Sequence, residues 1–484
     1  MRFNVILRYV GVVMLYVAAF MLVSAFISLL DGMDSSFYPL ILSSLLTALL
    51  GIFPMLFVPK TEQINNKEGF CIVVGAWVLA CGVGTFPYMM WGGEFSLLDA
   101  WFESVSGFTT TGATILNDVE ALPKGLLFWR SSTAWMGGVG VVMFALAILP
   151  SLGKTKMTLS NVELSSLAKD NYRYRTQQVV QILLVVYVGL TGISTLLLKL
   201  AGMGWFDAVN HAMSACATCG FGTKNASIAY YNSPMIELVL IFAMAFSGVH
   251  FGLIYSTVVG KSKNIFRSEV TRFYFAILVA GSLLVAVSLY ATGVYPDIWS
   301  SLRHGTFQFV SLISTTGLAT ADCNVWPSFA IMLLIFASIV CACAGSTAGG
   351  IKIDRALLFV KMFKARLRRQ QHPNAVIRLK VDGVIQESDH LNAVSIFIVT
   401  YLVLIFFGAL INAFCGLDLV TSITAPIACI GNVGPGFGDV GTMDNFSALP
   451  AFVRLQSTLL MLLGRLETVS YTHLRAHETV LDLV

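Results

Sequence analysis

Apolar runs of roughly 20 residues or more recur along the chain, at about 4–30, 37–59, 69–91, 125–150, 177–201, 234–259, 271–293, 328–358, 392–415 and 447–466. Twenty apolar residues of helix cross the ~30 Å hydrocarbon core of a bilayer. About ten such runs in 484 residues leave little chain for anything but a helical membrane protein. Composition agrees. Hydrophobic residues make up 56% and charged residues 12%, about half the charge of an average soluble chain. A soluble domain so poor in charge could not cover its surface. The net charge of +4 gives no footing for nucleic acid. The first run follows a basic start but is far longer than a secretory apolar core, so it reads as a spanning helix rather than a cleaved signal. The nine cysteines are scattered. Cys216 and Cys219 form the one C-x-x-C, without a redox or zinc context around it.

Between the long runs lie four apolar segments too short to cross, at 97–106, 205–217, 302–314 and 417–430. Each leads into a stretch rich in glycine and threonine: TTTGAT (109–114), TCGFGT (218–223), STTGLAT (314–320) and GNVGPGFG (431–438). The central glycines, Gly112, Gly220, Gly317 and Gly434, are about 100 residues apart. Long helix, short helix, Gly-rich stretch and long helix thus recur four times in the same order. Repeats in one direction are expected to surround an axis along the membrane normal. The expected fold is an all-α polytopic protein: two N-terminal helices (1–68), then repeats at 69–175, 176–268, 269–388 and 389–467 around a central pore.

Basic residues cluster in alternate connections. They are Lys60 and Lys67; Lys154, Lys156, Lys169, Arg173 and Arg175; Lys261, Lys263, Arg267 and Arg272; and a dense run from Lys361 to Lys380. The other connections lean acidic, with Asp31, Asp34, Glu94, Asp99, Asp297, Asp418, Asp439 and Asp444. The positive-inside rule then makes the basic set cytoplasmic. All four Gly-rich stretches would be reached from the outer face.

Irregular backbone at membrane depth survives only when buried in protein or lining water. Four such stretches meeting on one axis could present rings of carbonyl and hydroxyl oxygens that replace an ion's hydration shell. The C-terminal ends of the short helices would favour a cation there. The alternative for any one stretch, close helix packing through small residues, does not account for four at matched positions.

These motifs carry a family resemblance. SGFTTTGAT, ISTTGLAT, GNVGPGFGDV, CAGSTAGGIK and WRSSTAWMGGVGVVMFALAILP, with about residues 1–467 around them, resemble the Trk/Ktr/HKT superfamily of potassium transporters, its TrkH-type membrane subunits above all. The resemblance implies K⁺ uptake through a bacterial inner-membrane pore, a homodimer in the lipid bilayer, and a cytosolic TrkA-like ring. That ring, not this chain, would bind the nucleotide (NAD or ATP/ADP). It assigns the filter glycines to Gly112, Gly220, Gly317 and Gly434. The ion-binding set is then Thr110, Thr111, Gly112, Thr218, Cys219, Gly220, Thr315, Thr316, Gly317, Asn432, Val433 and Gly434, with K⁺ as cargo and no covalent cofactor. A glycine at Gly112, rather than serine, goes with K⁺ preference in the family. The second and fourth stretches depart from Thr-Thr-Gly, so the four quarters are not equivalent.

A second interruption, CACAGSTAGGIKIDR (341–355), breaks a long apolar run. Ala344, Gly345, Ser346, Thr347, Ala348, Gly349 and Gly350 are poor helix formers as a set. They are read as a gating loop under the filter, the alternative being a packing kink. The spacing does not fit a phosphate loop, and GFGDVG (436–441) lacks the strand and helix of a dinucleotide site. Arg465 stands deep in the last apolar run. Intramembrane arginines face a pore or a partner, and the carbonyls freed at 344–350 are the expected acceptors; a snorkelling side chain is the alternative. The basic run 361–380 suits either anionic lipid or an acidic docking partner. The polar tail 468–484 matches nothing in the family and is read as not native. No catalytic residue is expected. His211 and His250 lack a nucleophile beside them, so the chain is read as a transporter rather than an enzyme. An alternating-access cation symporter coupled to K⁺ or Na⁺ is the competing function.

Overall fold

The computed structural model describes residues 2–59, 66–148, 176–260, 264–372 and 377–466. The tail 468–484 and the connection 149–175, with Lys154, Lys156, Lys169, Arg173 and Arg175, lie outside them. The described residues are mostly helical. Helices α1 (Phe3–Leu30) and α2 (Phe37–Phe57) form an antiparallel pair. A Cβ on Gly11 would lie 2.6 Å from the Gly51 carbonyl oxygen. Glycine at both positions is what lets the two backbones meet.

The four repeats follow. The first holds α3 (Asn66–Gly84), α4 (Phe86–Trp91), α5 (Leu97–Phe108) and α6 (Lys124–Ile148). The second holds α7 (Thr176–Leu200), α8 (Trp205–Ala217), α9 (Pro234–Ser247) and α10 (Phe251–Val258). The third holds α11 (Glu269–Ala291), α12 (Ile298–Ile313), α13 (Ser328–Ile339) and α14 (Ile353–Gln371). The fourth holds α15 (Ser388–Phe414), α16 (Leu419–Ile430) and α17 (Ala451–Arg465). In each, one of the shorter helices, α5, α8, α12 or α16, leads into the Gly-rich stretch. Three of these have side-chain N-caps: Ser96 accepts from the Asp99 N–H, Asp297 from Ser300, and Asp418 from Val420 and Thr421. Capping satisfies amide donors that a helix start leaves open.

Among the described residues, six helical stretches are long and apolar enough to cross a membrane: Phe3–Leu30, Phe37–Phe57, Lys67–Trp91, Gln181–Leu200, Glu269–Ala291 and Ser388–Phe414. The chain is a multi-pass membrane protein. Two of the expected spans depart from a plain crossing helix. The run 234–259 is bent by 105° between α9 and α10, and the last helix has 15 residues. The bend has a cause. A Cβ on Gly248 would sit 2.5 Å from the Tyr274 hydroxyl and 2.9 Å from Ala342. The Gly248 carbonyl accepts from the Cys343 N–H at 2.9 Å, and the Phe251 N–H donates to the Gly345 carbonyl at 3.1 Å. Backbone groups freed by the bend are thus satisfied by the break in the third repeat, as kinked intramembrane helices require. His250, expected within a helix, instead caps α10 by accepting from the Gly252 N–H.

The run 328–358 is interrupted as its composition predicts. Strand β1 (Val340–Cys341) pairs in parallel with β2 (Ile351–Lys352), Val340 opposite Ile351. The bridge pins both ends of the loop 342–350. A hairpin of β3 (Lys380–Val381) and β4 (Val384–Ile385) follows α14. Asp382 and Gly383 both have positive φ in its turn, the geometry of a type I′ hairpin.

Candidate functional site

The four Gly-rich stretches share one local conformation. Thr110, Thr218, Thr315 and Asn432 all have left-handed φ, 56°, 55°, 57° and 51°. Each stands two residues before its central glycine. The next residue's N–H returns to a carbonyl in the last turn of the short helix: Thr111 to Ser106, Cys219 to Ser214, Thr316 to Ser311 and Val433 to Ala428, all at 2.8–2.9 Å. This bond ends the helix and turns the chain back on itself. Three of the left-handed residues are β-branched threonines, which rarely accept positive φ. Backbone strain repeated at four matched positions points to function rather than to packing convenience. Gly112, Gly317 and Gly434 are left-handed as well; Gly220 is not. The second stretch is therefore the one that departs in backbone, whereas the fourth follows the pattern despite its sequence.

The stretches close a ring. A Cβ on Gly112 would lie 2.2 Å from the Gly220 nitrogen. One on Gly220 would lie 3.1 Å from the Gly317 and Thr316 oxygens, one on Gly317 would lie 2.2 Å from the Val433 oxygen, and one on Gly434 would lie 2.6 Å from the Thr111 oxygen. The order is first, second, third, fourth and back to the first. Hydrogen bonds close the same ring farther out. The Val119 N–H donates to Asn225 Oδ1 at 2.7 Å, Ile228 to the Ala319 carbonyl at 3.0 Å, Gly438 to Asn324 Oδ1 at 3.0 Å, and Phe446 to the Thr114 carbonyl at 2.8 Å. A cavity of about 620 Å³, solvent at its mouth included, opens over the ring and is lined by all four glycines.

Side chains behind the ring hold each stretch to its own helix. The Ser106 hydroxyl donates to the Ala113 carbonyl at 2.6 Å, and Ser311 to Leu318 at 2.7 Å. Ser214 donates to the Cys219 carbonyl. Thr424 joins the Phe437 carbonyl at 2.9 Å. Thr109 and Thr111 share a hydroxyl contact of 2.8 Å, as do Ser314 and Thr316. All the sequence-predicted residues of the four stretches fall in or beside this ring. Cys219 is wholly buried, and the Cys216 thiol meets the Ser194 hydroxyl at 3.8 Å.

The loop 344–350 lies against the inner ends of the short helices. Thr347 Oγ1 donates to the Cys216 carbonyl at 3.0 Å, and the Gly349 N–H donates to Thr315 Oγ1 at 3.0 Å. A Cβ on Gly349 would lie 2.3 Å from the Gly431 oxygen. Ala344 and Ser346 are held from within the break, Ala344 N–H on Asp354 Oδ1 at 3.0 Å and Ser346 Oγ on the Cys343 carbonyl at 2.6 Å. The Lys352 ammonium bonds the Ala348 carbonyl. Gly345 and Gly350 supply the positive φ values, 76° and 64°, that turn the chain at either end. Arg465 points into this assembly, so the snorkelling alternative falls. Its Nη1 donates to the Thr347 carbonyl at 2.7 Å, and its Nη2 to the carbonyls of Gly137 at 2.7 Å and Gly138 at 3.2 Å.

Two features escaped sequence reading. One is the bend at Gly248 that receives the loop. The other is a buried ion pair, Arg130 Nε on Glu103 Oε1 at 2.7 Å, with both side chains at most 2% exposed. A glutamate on a short apolar helix and an arginine in an apolar run were its available signal.

The chain matches the TrkH family, described as cation transport proteins, over residues 45–480, a match that extends into the tail 468–484 where none was expected. It is 33% identical to the Trk system potassium uptake protein TrkH of Escherichia coli K12, over 96% of this chain and 97% of that one. It is 34% identical to TrkH of Halomonas elongata over the same shares, and 35% identical to TrkG of E. coli K12 over 84% of each. The crystal structure of the potassium transporter TrkH from Vibrio parahaemolyticus superposes with a TM-score of 0.88 at 30% identity, covering 98% of both chains. Sequence and architecture agree along almost the whole length, and the chain belongs to the TrkH family of cation transport proteins.

Proposed function

We propose that this chain takes up potassium across the bacterial inner membrane through a central pore whose selectivity filter is the ring of four Gly-rich stretches. The observation that carries the reading is the closed order of that ring, in which each glycine is packed against the backbone of the next repeat. Such closeness leaves backbone oxygens, rather than side chains, to line the axis and take over an ion's hydration shell. K⁺ would be the cargo, held by oxygens of Thr110–Gly112, Thr218–Gly220, Thr315–Gly317 and Asn432–Gly434. The names of the relatives, Trk system potassium uptake proteins, support the choice of ion. The loop 344–350, with Arg465, is the gate beneath it. In this reading the repeats begin at 69, 176, 269 and 389, the bounds expected from the sequence.

The basic connections face the cytoplasm in this reading. There a TrkA-like nucleotide-binding ring would control the gate, and two copies of the chain would form a homodimer. The word "system" in the relatives' names supports a multi-component assembly. The buried Glu103–Arg130 pair is the one observation favouring an alternating-access carrier, which needs charges inside the membrane. Its partners are parallel repeats meeting in a ring, however, and not inverted halves. No chemical step on a substrate is proposed.

The test is ⁸⁶Rb⁺ against ²²Na⁺ flux into proteoliposomes of the purified chain. Preferential, saturable ⁸⁶Rb⁺ uptake running down its gradient is expected. Equal uptake of both ions would defeat the filter, and uptake strictly dependent on a proton or Na⁺ gradient would favour the symporter.

A further inference from the structure

Arg130 touches two neighbouring stretches at once. Its Nε donates to Glu103 Oε1 at 2.7 Å and its Nη2 to Thr114 Oγ1 at 3.3 Å. On the other side, Nη1 donates to the Gly222 carbonyl at 3.2 Å, and the guanidinium lies 4.1 Å from the centre of the Phe221 ring. Thr114 and Gly222 each stand two residues past their central glycines. Glu103 in turn accepts from Thr114 Oγ1, at 3.0 Å to Oε2, and from the Ile115 N–H at 3.3 Å. One buried planar cation thus spans the first and second stretches, while one carboxylate anchors it to α5. Arg130 also lines the cavity over the ring.

The device is confined to one quarter. Nine residues before the glycine stands Glu103 in the first repeat, but His211, Gln308 and Ala425 in the others. Gln308 reaches only its own stretch, at the Ala321 carbonyl, 3.1 Å away. His211 bonds the Asp207 carbonyl on its own helix at 2.8 Å.

We propose that Arg130, held by Glu103, is a specificity-positioning residue that fixes the spacing between the first two filter stretches and so sets the preference for K⁺ over Na⁺. The proposal rests on the filter reading above. Selectivity depends on the size of the oxygen cage and on how freely its walls move. The gap between Gly112 and Gly220 is the one where the left-handed pattern fails, because Gly220 lacks positive φ. An external brace is needed most there. Only arginine offers a rigid fork that can serve three acceptors in different directions; lysine keeps the charge but offers a single point. Pairing with Glu103 also keeps the brace close to neutral, so it adds no net repulsion to a passing cation.

Arg130→Lys in the full chain, reconstituted in proteoliposomes, tests this. The readouts are the ⁸⁶Rb⁺/²²Na⁺ flux ratio and the thermal melting of the purified protein. The ratio is expected to fall about tenfold while the melting transition stays cooperative. An unchanged ratio in a folded variant overturns the proposal, as does loss of both fluxes in parallel with the melting temperature, which marks a purely structural role. If Arg130→Lys does not fold, Thr114→Val decides. It removes the hydroxyl by which Arg130 and Glu103 hold the first stretch and keeps the side-chain shape. A lowered ratio upholds the brace and an unaltered one rejects it. A wild-type chain without ⁸⁶Rb⁺ preference defeats the filter reading itself, which separates the two failures.

Discussion

Arg465 Nη1 lies 2.7 Å from the carbonyl oxygen of Thr347, so the last helix is tied to the middle of the loop that interrupts the third repeat. The same guanidinium holds the carbonyls of Gly137 and Gly138 in the first repeat. A charge in the low-dielectric interior must be satisfied in this way. Three repeats are thereby latched through one side chain under the ring.

Breaking that latch should open the path. A hydrogen bond from a charged donor is worth about 1.5–3 kcal/mol, so Arg465→Ala is expected to raise ⁸⁶Rb⁺ flux about tenfold or more in the absence of any regulatory protein. Arg465→Lys, which can reach one carbonyl but not all three, should fall between. Flux equal to wild type in both variants would show that Arg465 is not part of a barrier.

The loop itself should behave as the closed element. Its tethers reach the inner ends of two short helices through Thr347 on Cys216 and Gly349 on Thr315. Deleting 345–349 should raise basal flux above that of Arg465→Ala, because it removes the obstruction and not only its latch. Proteoliposome flux on a deletion variant that still elutes as a single folded species is the measurement; flux at or below wild type would exclude a gate.

Gly112→Ser should cost selectivity and stability together. The new Cβ would meet the Gly220 backbone at 2.2 Å, at a φ of +79°. Backbone strain of this kind costs roughly 1–3 kcal/mol, and the next stretch must also move. Gly220→Ser meets oxygens only at 3.1 Å, at an ordinary φ, and should be milder on both counts. Comparing ⁸⁶Rb⁺/²²Na⁺ ratios and melting temperatures of the two variants tests the ranking, and the reverse order would contradict the ring geometry.

Asp418 offers a pH-dependent contribution. Its carboxylate caps α16 by accepting from the Val420 and Thr421 N–H groups. The Thr421 hydroxyl, and then these amides, hold its pKa below the ordinary carboxylate value. A depressed folded-state pKa stabilises above the unfolded value near 3.9, and the benefit is lost as pH falls below it. Asp418→Ala should therefore lower stability by about 1 kcal/mol at neutral pH, with the gap from wild type closing as the solution is acidified towards the native pKa. A gap that persists unchanged in acid would assign the effect to packing.

Sequence alone determined the parts that are written locally. Runs such as 4–30 and 392–415 declare membrane helices through length and apolarity. The four Gly-rich stretches stand out because they interrupt helical periodicity at matched positions, and 344–350 stands out because its residues cannot sustain a helix. What remained hidden depends on how separate helices and stretches approach one another. The stretch around Gly248 looks like continuous helix until Tyr274 and Ala342 crowd it and the loop supplies its missing hydrogen bonds. Glu103 and Arg130 are two isolated charges in apolar sequence until folding brings them to 2.7 Å within the first repeat, where Arg130 also reaches the Gly222 carbonyl of the second stretch. Arg465 announced by its cost that it needed acceptors, but only the packed structure decided that two of the three came from the first repeat. Periodicity and backbone freedom are properties of a short stretch of chain, whereas the partner of a buried charge is chosen by the tertiary packing that excludes water from it.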